Sequence, residues 1–145
     1  GGTELAAARK NGVVVLYSFP DMVKIAEIEH RVAVRALQYS PDGRYLAIAE
    51  GAEVHLQDTV NAYRVRTLGE PGRHYAWSMA FSPDSQMLMV GYWDAIVRVW
   101  DVESGAQMQQ FNWGLGRIHA VAFSPDGMTA AVGGGSKDIL IWDVE

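Results

Sequence analysis

Short apolar runs recur along this chain at a fixed distance. The clearest reads A-W-S-M-A-F-S from Ala76 to Ser82, and its Met79 and Phe81 have counterparts in Val121 and Phe123 and in Leu37 and Tyr39. Each run stops at the same tripeptide, Ser40-Pro41-Asp42, Ser82-Pro83-Asp84 and Ser124-Pro125-Asp126, with serines 42 residues apart both times. Proline brings no N–H to a ladder, and Asp before Gly or Ser closes a tight turn. A second apolar run follows, Met87 to Val90, and then Ile96-Val97-Arg98-Val99-Trp100 alternates around a charged position with the period of a half-buried strand. After the turn residues Asp101 to Gly105, Ala106 to Phe111 is Gln-rich and suits an outer strand. The pattern predicts four strands, a to d, in each 42-residue unit, and a period of this size marks a chain of repeated supersecondary units.

The first residues put two signals in conflict. Glu4 to Lys10 followed by Asn11-Gly12 has the composition of a helix with a good stop. The repeat register opposes it, because Leu5 to Val13 and Leu46 to Val54 are both 8 residues. Propensity is the weaker term where tertiary context acts, so Leu5–Ala8 is expected as a b strand. The chain then runs b-c-d, a-b-c-d, a-b-c-d, a-b-c, or 14 strands. It divides at about 1–29 (partial), 30–69, 70–112 and 113–145 (partial) within one segment, 1–145. Phe81, Val97, Val99, Phe123, Ile139 and Ile141 are expected in the core, since they hold equivalent apolar positions.

These motifs resemble the WD-repeat β-propeller family over essentially the whole chain. The resemblance rests on Ser-Pro-Asp-Gly at 40–43 and 124–127, on Trp-Asp at 100–101 and 142–143, and on 18 residues from Ser to Trp in both. It implies an all-β fold of four-stranded antiparallel blades around a channel. The family places a Gly-His pair ten residues before the serine, yet only Glu29-His30 keeps the His, against Pro71-Gly72 and Trp113-Gly114. Its loop Asp survives as Asp94 and becomes Asn11, Gly51 and Ser136 elsewhere. No blade is expected to carry a complete His–Asp–Trp hydrogen-bond set, and His30 is expected to hydrogen-bond within its turn.

Three and a half blades do not close an unstrained ring, since closed propellers have about 4–8. Each end would leave an open sheet face and strand edge. The ring is therefore expected to be incomplete unless closed by another chain. A piece of a longer propeller is favoured over a self-assembling half-propeller, because joining two copies would duplicate strands b and c.

Composition changes this picture little. There is no apolar run of about 18 residues, so no transmembrane helix is expected, and Gly1-Gly2-Thr3-Glu4 carries no signal-peptide pattern. The absence of Cys excludes disulfides and thiolate metal sites and fits a cytoplasmic, reducing compartment. A net charge of −5 argues against a nucleic-acid face.

No catalytic constellation or cofactor motif emerges. His30, His55, His74 and His119 are scattered without metal-ligand spacing, so no metal is expected. Gly133-Gly134-Gly135-Ser136-Lys137 lacks a full phosphate-loop frame and precedes a strand. The resemblance implies that the d–a and b–c loops emerge on one face, which here holds Tyr75, Tyr92, Trp93, Trp113 and Arg117. Trp, Tyr and Arg dominate binding hot spots, so these five are the candidate partner-binding residues. The expected role is a non-enzymatic scaffold for a protein or peptide. The alternatives are a unit whose main partner is its own copy, or an accessory or sensor domain of a larger enzyme or signalling protein.

Overall fold

The computed structural model describes residues 3–61, 65–69 and 74–144; Pro71-Gly72 and the segment ends at 1, 70 and 145 lie outside them. The described residues form fourteen β-strands and no helix. They make four antiparallel sheets in chain order. The first holds β1 (Glu4–Ala8), β2 (Val13–Ser18) and β3 (Lys24–Glu29), and the second β4 (Val34–Tyr39), β5 (Tyr45–Glu50), β6 (Glu53–Asp58) and β7 (Val65–Leu68). The third holds β8 (Ala76–Phe81), β9 (Met87–Tyr92), β10 (Ile96–Asp101) and β11 (Gln107–Asn112), and the fourth β12 (Ile118–Phe123), β13 (Thr129–Gly134) and β14 (Ile139–Asp143). Glu4–Ala8 is a strand: Ala6 lies opposite Leu16 on β2, and repeat register overrides helix propensity.

The Ser-Pro-Asp turns use the same bonds each time. In the third sheet the Ser82 hydroxyl donates to Asp84 Oδ1 at 2.5 Å, while Asp84 Oδ1 accepts the Gln86 N–H at 3.0 Å and Ser82 Oγ accepts that of Met87 at 2.9 Å. These bonds, led by that from Ser82, hold the Asp84 carboxyl below its ordinary pKa. The fourth turn position has positive φ, which Gly43 and Gly127 accept freely and Ser85 accepts at a cost (φ 64°).

The core lies between sheets. One cluster joins the first and second through Val14, Leu46 and Ile48; one joins the second and third through Leu56, Leu68, Leu88, Val90 and Trp100. The last joins the third and fourth through Met89, Val97, Val99, Ile118 and Val132. Strand β9 shows the logic: Leu88, Val90 and Tyr92 face the second sheet while Met89 faces the fourth. An inner strand buried on both faces reads as an unbroken apolar run. A Cβ on Gly91 would come 2.3 Å from Ile118, so the third and fourth sheets need a glycine there to meet. Polar bonds repeat the alignment at both rims: the Ala76 N–H donates to Gly51 O at 2.7 Å, and the Asp42 N–H to Ser85 Oγ at 3.0 Å.

Three of the expected core residues, Phe81, Val97 and Val99, are buried, and Phe123 is half-buried against the last cluster. Ile139 and Ile141 correct the expectation, with 75% and 68% of their surfaces exposed. They hold the positions of Val97 and Val99, but no fifth sheet among the described residues lies against them, and their neighbours Leu140 and Trp142 face the third sheet instead.

Candidate functional site

Where β8 and the β9–β10 loop begin and the β11–β12 loop ends, aromatic rings and guanidinium groups stack across three sheets. Trp93 is the centre. Its ring packs on Trp77 of β8 at 5.1 Å, meets Tyr75 edge-on at 5.5 Å, and carries the Arg117 guanidinium at 4.6 Å. Arg35 of β4 lies over the other end of the row, 5.3 Å from the Trp77 ring. The order is Arg35–Trp77–Trp93–Arg117, in which each cation faces the electron-rich side of an indole. The Trp93 backbone N–H donates to Tyr75 O at 3.1 Å, which fixes the β9–β10 loop to the residue that precedes β8. Arg35, Tyr75 and Arg117 are exposed and Trp77 and Trp93 half-buried. Neither Arg35 nor Arg117 has an ion pair among the described residues. An apolar platform edged by free guanidinium groups can hold aliphatic or aromatic groups on its rings and carboxylates or carbonyls at its ends.

Of the five residues expected here, Tyr75, Trp93 and Arg117 come together. Tyr92 does not reach the face: it is the last residue of β9, only 3% exposed, and burial pushes its hydroxyl up to about 12. Period-2 alternation along β9 turns it toward Trp100, and Arg98 covers its ring at 4.4 Å. Trp113 belongs to a separate stack, 4.8 Å from Phe111 and 4.7 Å from Trp142, which fastens the end of β11 to the fourth sheet. Trp77 and Arg35 were not among the five. Their signal is a strand a position with a large residue on the side away from the core clusters.

A second cluster was not legible from spacing. Glu50 ends β5, His55 lies in β6, and His30 follows β3. His30 Nδ1 lies 2.7 Å and His55 Nε2 3.2 Å from the same oxygen, Glu50 Oε2. The other oxygen, Oε1, accepts the N–H groups of Arg31 at 2.6 Å and Val32 at 3.0 Å. Burial raises the Glu50 pKa, but the hydrogen bonds from His30 and the two amides outweigh it and hold the carboxyl below its ordinary value. Glu50 thus takes the place of the missing loop Asp beside His30. In the third sheet Asp94 pairs instead with Arg98 at 2.8 Å. His30, Glu50 and His55 could hold a metal ion, with ligand atoms within 4.8 Å of one another.

Comparison with known proteins fits the repeat geometry. The family described as "WD domain, G-beta repeat" matches residues 63–101 and 108–143, slightly more than half of the chain. The chain belongs to the WD-repeat family. It is 30% identical over 112 residues to Actin-interacting protein 1 of Drosophila melanogaster, covering 76% of this chain and 18% of that protein. It is 32% identical over 109 residues to the small ribosomal subunit protein RACK1 of Schizosaccharomyces pombe, covering 70% of this chain and 35% of the other. Against the serine-threonine kinase receptor-associated protein of Rattus norvegicus it is 25% identical over 108 residues, covering 74% and 30%. This WD-repeat chain therefore spans about a third or less of the relatives it matches. Its four sheets are four consecutive blades, the outer two three-stranded.

Proposed function

We propose that this chain is a non-enzymatic interaction module that binds a protein or peptide through Tyr75, Trp77, Trp93 and Arg117, with Arg35 at the margin. The observation that carries the reading is the Arg35–Trp77–Trp93–Arg117 row, which spans three blades and keeps two guanidinium groups free of ion pairs among the described residues. A shallow face of exposed Tyr and Arg on a rigid sheet suits a macromolecular partner better than a small substrate, which takes a deep pocket. The relatives add support of a general kind. Their names connect them with actin, with the small ribosomal subunit and with a kinase receptor, so the shared fold goes with binding and not with one common partner.

The test compares the parent with Arg117→Ala and Tyr75→Ala, and with Arg44→Ala on a Ser-Pro-Asp turn as control. Proteins recovered by quantitative affinity capture are purified and titrated. The first two variants are expected to weaken binding by at least about tenfold, as for hot-spot truncations, and Arg44→Ala to leave it unchanged. Equal affinity for all four would place the contact elsewhere. Trp93→Ala is a poorer probe, because Trp93 also supports its neighbours' stacking.

Self-association is the second reading. It is favoured by Ile139 and Ile141, which stand exposed on the outer strand of the last blade. Apolar side chains beside an open strand edge invite another chain to cover them.

A further inference from the structure

The His30–Glu50–His55 cluster has more order than a hydrogen-bonded turn needs. We propose that these three residues, with Glu53 standing beside His55, form a binding site for a zinc-like transition-metal dication at the seam between the first and second blades.

Convergence is the first argument. Two imidazole nitrogens point at one carboxylate oxygen, and Glu53 Oε2 stands 3.6 Å from the same His55 Nε2. The converging set is two imidazoles and one carboxylate, a zinc-type donor set with Glu53 beside it; calcium and magnesium prefer all-oxygen shells. The two imidazole nitrogens, 2.7 and 3.2 Å from Glu50 Oε2, lie near the ~3.3 Å ligand–ligand edge of a tetrahedral zinc shell.

Charge is the second. Glu50 and Glu53 are directly paired across the β5–β6 turn. Like charges facing each other across two strands are destabilising. A dication between them balances two carboxylates and uses the neutral form of both histidines.

Preparation is the third. The ligand side chains are 9%, 10% and 15% exposed for His30, Glu50 and His55, so they are held by packing. Outer contacts orient them: two backbone amides hold Glu50 Oε1, leaving Oε2 to ligate, and the Thr67 hydroxyl holds His55 Nδ1 at 3.0 Å, leaving Nε2 inward. Partners of this kind fix ring and carboxylate orientation in metal sites. The His30 N–H also donates to Gly12 O at 2.9 Å, in the β2-side turn of the first blade. A metal here would tie that turn to strands β5 and β6 of the second.

The experiment titrates the whole chain with zinc against a chromophoric chelator, and with cobalt(II) read by visible absorption. One equivalent of zinc is expected to bind with a dissociation constant below about 1 μM, in the range of built protein sites. Cobalt should give the intense bands of a four-coordinate site, and zinc should raise the melting temperature. His55→Gln and Glu53→Gln are expected to weaken zinc by at least about tenfold, while His74→Gln and His119→Gln leave it unchanged. Zinc held no tighter than about 100 μM, or weakened equally by His119→Gln, would overturn the site. If His55→Gln fails to fold, Glu53→Gln and the parent's cobalt spectrum decide; weak octahedral bands would also overturn it.

Discussion

Aspartates set the turns of this chain residue by residue. Asp42, Asp84 and Asp126 each accept from a serine hydroxyl two positions earlier and from a backbone N–H two positions later. At the other turn, Asp58 accepts the N–H groups of Val60 and Asn61, and Asp101 that of Ser104. Asp58 and Asp101 are thus turn builders, and the neighbour of Asp101, Trp100, packs between sheets. Ser85 is the informative exception among the turn residues. It occupies a left-handed position that glycine fills in the other copies, at a cost of about 1–2 kcal/mol, but its hydroxyl receives the Asp42 N–H from the preceding blade. Ser85→Ala keeps the strain and loses the bond, so it should destabilise by about 1–2 kcal/mol. Ser85→Gly loses the bond but sheds the strain, and should stay within about 1 kcal/mol of the parent. Urea unfolding of both variants checks the order; Ala equal to Gly would deny the cost of the backbone conformation.

Individual strands differ by what lies on each side. β9 is enclosed by sheets on both faces, whereas β14 is covered on one, and their sequences look alike because both carry unbroken runs of large apolar residues. Equivalent repeat positions therefore have unequal energetic weight. Phe81, 6% exposed between the second and third blades, should cost about 3–5 kcal/mol when changed to Ala. Phe123, half-buried in the last blade, should cost at least about 1 kcal/mol less. Chemical unfolding of the two variants measures the difference directly. Equal losses would mean that Phe123 is as fully covered in solution as Phe81.

Among the described residues, three inter-blade cores line up four sheets, and the sheets at either end have one face without a neighbouring sheet. Ile139 and Ile141 mark that condition at β14. The isolated chain is expected to self-associate with rising concentration, and Ile139→Lys with Ile141→Lys to suppress this without lowering the melting temperature, since neither side chain supports the core. Sedimentation velocity over a wide concentration range provides the measurement. A parent that stays monomeric throughout would rule out these isoleucines as a self-association surface.

The 42-residue period determined the fold from sequence alone. Strand order, turn positions and even the strand at Glu4–Ala8 follow from it, because turn chemistry and alternation are local and repeat register carries them along the chain. Tyr75, Trp93 and Arg117 were legible for the same reason, being loop residues at equivalent blade ends. Tertiary structure decided what depends on neighbours distant in sequence. It placed Tyr92 inside and Ile139 and Ile141 outside, since burial requires an adjacent sheet and apolar character alone does not supply one. It also brought His30, Glu50 and His55 onto one oxygen. His30 comes from the strand-connecting loop before the second blade, Glu50 and His55 from two of its paired strands, and their meeting depends on how that loop folds back over the blade.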